Sequence, residues 1–259
     1  DPEDFELAGW MVFIYDSLEH HEGARTWSAW LDNWITKQPQ PMAMQARHHY
    51  LNGNFELALQ YANLAINLDL ENRWNSEVTF MRIKRDEAIA NGDPGPGIAL
   101  LLERYPSLRG SEPRLSPRIL QQAVHLASLL SLNGEKERAR PLLEAAIETY
   151  DQPYTTAGPH KMGLVPVKAE ALAILGREEE SLAELRRIID NGWRTNWRWS
   201  TDMNSSFNGI RDNPQFRTIV QELAIDIAAQ RIAVEDMEVE GTIGLPVAPN
   251  TGPDLDFTQ

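Results

Sequence analysis

The chain has no cysteine in its 259 residues. That excludes disulfides, thiolate metal sites and a cysteine nucleophile. It leaves cytoplasm and periplasm both open. Long apolar runs are missing too, and no stretch approaches the ~20 residues that cross a bilayer as a helix. Positive charge is scarce: 24 Lys and Arg stand against 38 Asp and Glu, for a net charge of -14. Phosphate backbones and anionic membrane surfaces are therefore repelled, and no nucleic-acid contact by this region is expected. The catalytic signatures GxSxG, GxxxxGK[ST] and GxGxxG are all absent. The sequence points to a non-enzymatic role and to no cofactor. What is present is the apolar content of a folded protein, 42%.

The clearest pattern runs from Gln121 to Tyr150. Ala123, Leu126, Ala127 and Leu130 lie on one face of a 3.6-period helix. Gly134 breaks the run, and Ala139, Leu143, Ala146 and Ile147 form a second single face. Small residues at Ala127, Ala139 and Ala146 predict two antiparallel helices at close approach. Ala127 to Ala139 is 12 residues and Ala139 to Ala146 is 7. The same intervals recur at Ala46, Ala58 and Ala65, and at Ala169, Ser181 and Ile188. Gly53, Gly134 and Gly176 each precede the small residue of the second helix by 5. Ala24 and Ala58 are 34 residues apart, a period that marks stacked helix hairpins.

In chain order, these signals place hairpins at about 4–38, 40–70, 75–105, 117–150 and 164–191. The first opens on Asp1 and Pro2, an N-cap and N1 pair. The third is degenerate, with a turn, NGDPGPG, that shortens its second helix to about 97–105. A polar insertion covers 151–163, and a Trp-rich loop covers 192–206. Asp212, Asn213 and Pro214 then start a capping helix of about 213–239. From 240 to 259 there is no periodicity, and an extended or disordered tail is expected. The chain begins at Asp1 without methionine, so it reads as a fragment or processed product.

These intervals resemble the tetratricopeptide repeat, with its small residue in helix A, glycine before helix B and small residues along helix B. The resemblance covers roughly 4–191 and departs from the family in its long inter-repeat loops and few helix A aromatics. It implies an all-α fold: a right-handed α-α solenoid of hairpins with a C-terminal capping helix. The stretches AILGREEESLAELRRIIDNGWR and IRDNPQFRTIVQELAIDIAAQR further resemble the C-terminal sensor region of bacterial signalling proteins. Those proteins join a tetratricopeptide array to an adenylate or guanylate cyclase, or to a winged-helix transcriptional regulator, often across a membrane helix. The implied role is a protein-interaction or sensor module regulating a linked output domain upstream. Its side of the membrane would be periplasmic downstream of a transmembrane helix and cytoplasmic otherwise.

In the repeat family, helix A residues line a concave groove that takes polypeptide segments. Carried onto this chain, the groove positions are Phe13, Asp16, Arg47, Tyr50, Arg82, Asp86, Val124, Ser128, Ser131 and Glu170. Arginines among acids and aromatics suit an extended polypeptide, with Arg47 and Arg82 able to hold carboxylates. The family's two-carboxylate clamp is not matched. Trp27, Trp30 and Trp34 share one helix face; burial is one reading and a homodimer contact the other, which would make the chain a structural oligomerisation module. Trp193, Trp197 and Trp199 interleave with Arg194 and Arg198 and read as a structural clasp, or as stacking platforms for bases or sugars. The pairs His20-His21 and His48-His49 chelate poorly as neighbours on one helix, and HHEG is not HExxH. Glu178, Glu179 and Glu180 sit at a helix start, where acids complement the macrodipole. A ring-shaped all-α enzyme using paired carboxylates is the remaining alternative, and it predicts acids converging at one centre.

Overall fold

The computed structural model describes residues 5–32, 38–69, 76–110, 113–152 and 166–246. The regular elements there are α-helices and 3₁₀ turns, and no strand occurs among the described residues. Trp34, the Asp1-Pro2 helix start, most of the 151–163 insertion and the tail beyond Pro246 lie outside them.

The chain forms two compact units. Unit 1 comprises Asp1–Ile83 and Ala224–Gln259, and unit 2 comprises Lys84–Leu223. Unit 1 holds α1 (Phe5–Ser17), α2 (His21–Leu31), α3 (Pro39–Leu51) and α4 (Phe55–Leu68). The helix α5 (Ser76–Ala90) begins in unit 1 and ends in unit 2. Unit 2 continues with α6 (Gly95–Arg104), α7 (Leu120–Leu132), α8 (Lys136–Tyr150), α9 (Val167–Ile174), α10 (Glu178–Asp190) and the single turn α11 (Trp197–Ser200). The last helix, α12 (Pro214–Val239), starts in unit 2 and returns to unit 1.

The hairpins follow from one local device. Each first helix ends on a residue in the left-handed region: Glu19, Gly53, Gly92, Gly134 and Gly176. The residue after each donates its amide back to the fifth residue before it. His20 bonds Tyr15 at 2.9 Å, Asn54 bonds His49 at 2.8 Å, Asp93 bonds Ala88 at 3.1 Å, Glu135 bonds Leu130 at 2.8 Å and Arg177 bonds Leu172 at 2.9 Å. This closes the helix end and reverses the chain. Five residues after each corner comes a small residue facing the first helix: Ala24, Ala58, Gly97, Ala139 and Ser181. Ala24, Ala58 and Ser181 are wholly buried and Ala139 nearly so. The third hairpin, degenerate in composition, therefore keeps the full geometry, and α6 starts at Gly95, two residues earlier than its turn composition implies.

Within unit 1, α1 packs on α2, α3 on α4 and α1 on α3. Ala8, Val12 and Leu31 form one core cluster, with Trp27 and Trp30 laid against it. Within unit 2, α7 packs on α8 and α6, and α9 packs on α7, α8 and α10. Val124, Leu126, Ala127, Leu129 and Ala169 are all at 0% exposure there. The burial of these apolar side chains drives assembly, since an isolated hairpin leaves one face of each arm in water.

Candidate functional site

Helix A residues meet in two places, one in each unit. In unit 1, α1 and α3 bring Phe13, Asp16, Arg47 and His48 together. The Arg47 guanidinium lies 4.3 Å from the Phe13 ring centre, within the range where ring and cation attract. Asp16 accepts from His48 Nδ1 at 3.0 Å, and both side chains are nearly buried. Asn52 Nδ2 donates to the His48 carbonyl at 2.8 Å and fixes that end of α3. Burial pulls the Arg47 pKa down to about 10, with Asp16 opposing. Arg47 Nε is enclosed and has no hydrogen-bond partner among the described residues. A donor enclosed in this way is costly unless an acceptor reaches it.

Behind this face lies a closed polar layer. Gln45 is wholly buried; it accepts from Ser28 Oγ at 2.5 Å and donates to Asp32 at 2.8 Å. Burial raises the Asp32 pKa, against hydrogen bonds from Gln45 and Tyr61. His49 stacks on Tyr61 with centroids 5.1 Å apart and planes at 10°. Burial, reinforced by His48, lowers the His49 pKa to about 4.

In unit 2 the corresponding face carries Asp86, Ser128 and Glu170, and a segment of the same chain lies on part of it. Asn204, Ser205 and Ser206 run across α5 and α9. Arg85, at 0% exposure, donates to Asp86 at 2.8 Å, to Asn204 Oδ1 at 3.3 Å and to Ser206 Oγ at 3.4 Å. Ser205 Oγ donates to Asp86 at 3.3 Å, and Ser206 Oγ donates to Glu170 at 3.4 Å. Gln121 Nε2 donates to Glu170 at 3.3 Å and to His125 Nε2 at 3.1 Å. Three residues of polypeptide are thus held by one arginine and two carboxylates.

The remaining sequence-derived positions distribute as follows. Tyr50, Arg82, Val124, Ser128 and Glu170 are buried, at 6%, 3%, 0%, 6% and 1% exposure. Ser131 donates to the Ala127 carbonyl of its own helix at 2.8 Å. Phe13, Asp16 and Arg47 converge, and Asp86 and Glu170 converge on the Asn204–Ser206 segment. Arg85 escaped sequence reasoning because it occupies the register position where Ala46, Ala127 and Ala169 stand in the other hairpins. Its separation of 12 residues from Gly97 is the signal that could have found it.

Trp193, Trp197 and Trp199 are buried at 8%, 3% and 8% exposure, and Arg194 donates to the Ile189 and Trp193 carbonyls, each at 2.7 Å. The loop is an internal clasp built on backbone contacts. Trp27 and Trp30 pack on the unit 1 core and on each other, with centroids 6.3 Å apart. The histidines are dispersed in role. His20 Nδ1 accepts from the Gly23 amide at 3.0 Å, so its Nε2 carries the proton given to Glu238 at 3.2 Å. Tyr15 also donates to Glu238, at 2.5 Å. Among the described residues no three metal-ligating side chains converge. No helix there is long and apolar enough to cross a membrane.

No family model, no curated protein and no solved structure matches the chain.

Proposed function

We propose that the chain is a non-enzymatic regulatory module of the tetratricopeptide-repeat kind, with its hairpins stacked as a right-handed solenoid. In this reading it binds a polypeptide segment on the α1–α3 face and controls an output domain, a cyclase or a winged-helix regulator, joined upstream. The carrying observation is Arg47: a half-buried cation on helix A, held 4.3 Å from the Phe13 ring centre. A carboxylate or carbonyl of an extended segment is the acceptor that such a group takes best. Unit 2 supports the reading by analogy within the molecule. There Arg85, Asp86 and Glu170 make side-chain hydrogen bonds to Asn204, Ser205 and Ser206.

A peptide-display selection against the intact chain tests this. Enriched peptides should carry an acidic residue or a free C-terminal carboxylate. Arg47→Ala and Phe13→Ala should each weaken them by about tenfold or more, the usual scale for losing a charge-assisted contact. Arg82 is a poor probe, because its burial makes loss of fold the first consequence. Selection that enriches nothing, or peptides bound equally by Arg47→Ala, would defeat the proposal.

A further inference from the structure

The dipeptide Asn-Gly occurs five times: Asn52-Gly53, Asn91-Gly92, Asn133-Gly134, Asn191-Gly192 and Asn208-Gly209. It carries a reaction of its own. The glycine nitrogen attacks Cγ of the asparagine side chain, and glycine has no Cβ to hinder the approach. An N–Cγ bond forms, the Cγ–Nδ2 bond breaks, and the Nδ2 group leaves as ammonia with the glycine proton. Water then opens the resulting succinimide ring at either carbonyl, giving aspartate or isoaspartate. The only co-reactant is water, so the fold decides which of the five reacts. Four are locked. Gly53, Gly92, Gly134 and Gly192 follow helices at φ 78, 66, 81 and 90. Their amides donate to the carbonyls of Tyr50, Ile89, Ser131 and Ile189 at 3.1, 3.1, 3.2 and 2.9 Å. Three of the asparagine Nδ2 groups are held as well: Asn52 on the His48 carbonyl at 2.8 Å, Asn133 on Glu135 at 2.6 Å and Asn191 on the Arg187 carbonyl at 2.7 Å.

Asn208-Gly209 differs on each count. It follows the 3₁₀ turn Ser205–Phe207 in unit 2, and both residues are exposed. Among the described residues the Gly209 amide donates to no acceptor, and neither does Asn208 Nδ2. Asn208 Oδ1 instead accepts from Arg211 Nη2 at 3.1 Å. That guanidinium is itself fixed by the carbonyls of Asp202 and Asn204. A fixed cation on the amide oxygen withdraws charge from Cγ and stabilises the oxyanion that forms on attack. Ring closure turns the asparagine ψ to more negative values. Asn208 starts at ψ -36, whereas Asn52, Asn133 and Asn191 start at 8, 1 and 10, so its rotation is the shortest of these. We propose that Asn208 is a site of spontaneous deamidation in the folded protein, with the Gly209 amide as nucleophile and Arg211 as the group that polarises the reacting carbonyl. The product carboxylate stands beside Arg211. The isoaspartyl product adds a methylene to the main chain between Phe207 and Ile210, which are buried at 0% and 3% exposure, two residues beyond Ser206 of the crossing segment. The site is independent of the Arg47 reading.

Timed incubation of the intact chain at mildly alkaline pH, followed by proteolysis and mass spectrometry, tests the proposal. The Asn208 peptide should gain the mass of an amide-to-acid exchange about tenfold faster than the other four, the rate scale of one hydrogen bond that they must first break. In strong denaturant all five should react at similar rates, because the fold alone separates them. Gly209→Ala fits the open space at that position and should slow Asn208 by crowding the nucleophile. Arg211→Gln should slow it by removing the cation. A helix-corner asparagine that reacts first in the folded chain overturns the proposal. So does a rate at Asn208 that neither substitution lowers.

Discussion

At the scale of single residues, His49 is the most informative group in unit 1. Its ring lies flat on Tyr61, its Nδ1 has no partner among the described residues, and its pKa falls to about 4 from an ordinary 6.5. Unfolding therefore exposes a histidine that binds a proton more readily than the folded one. The stability gained by keeping it neutral is full above about pH 6.5 and is lost as pH falls toward 4. His49→Phe keeps the stacking and removes the proton site. Between about pH 7 and pH 5 the parent should lose roughly 1 kcal/mol more stability than the variant, a figure discounted for the ring's partial exposure. Urea unfolding at the two pH values measures it, and parallel curves would show that the ring is not kept neutral. In sequence His48-His49 reads as a weak chelating pair, with His49 on the helix A position that the tetratricopeptide resemblance gives to a buried tyrosine. Adjacency gives no sign that one ring meets a carboxylate and the other a tyrosine.

At the scale of elements, the hairpin corners separate two demands on glycine. Gly134 has φ +81 and nothing near its missing side chain, whereas Gly97 sits against Leu129 and Ala88. Gly134→Ala should cost about 1 kcal/mol through backbone strain, and Gly134→Asn should recover part of it. Gly97→Ala should cost about 1–3 kcal/mol through overpacking, and Gly97→Asn should be worse. Thermal unfolding of the four variants checks the pattern, and equal losses at both sites would contradict it. The hairpins themselves were legible, because intervals of 12 and 7 with a glycine between them are set by helix geometry. The first corner was less so: Glu19, at φ 57, does there what glycine does elsewhere. The third was obscured by its prolines, although Gly92 and Gly97 keep the interval of 5. Arg85 hid for a related reason, since a long charged side chain at a position otherwise held by alanine breaks the pattern instead of extending it.

For the molecule as a whole, contacts between residues distant in the chain matter most. In unit 2, Arg85 reaches across to Asn204 and Ser206 from a fully buried position. Arg85→Met would take one donor each from Asp86, Asn204 and Ser206. It should destabilise the protein by about 3–5 kcal/mol, the usual consequence of removing one partner from a buried polar set. Equilibrium denaturation measures this, and a neutral variant would mean that water replaces the guanidinium. Such ties leave no periodic trace, which is why the helical class could be read from the sequence and the Asn204–Ser206 crossing could not.

Unit 1 is assembled from both ends of the numbered sequence, and that division bears on how the chain emerges during synthesis. All of unit 2 leaves the ribosome before Glu238 does. At the usual pace of translation, about 5–20 residues per second, roughly ten seconds or more separate the appearance of α4 from that of Glu238. Tyr15 and His20 wait through that interval for the carboxylate that accepts from both. The second unit to begin is thus the first that can be completed.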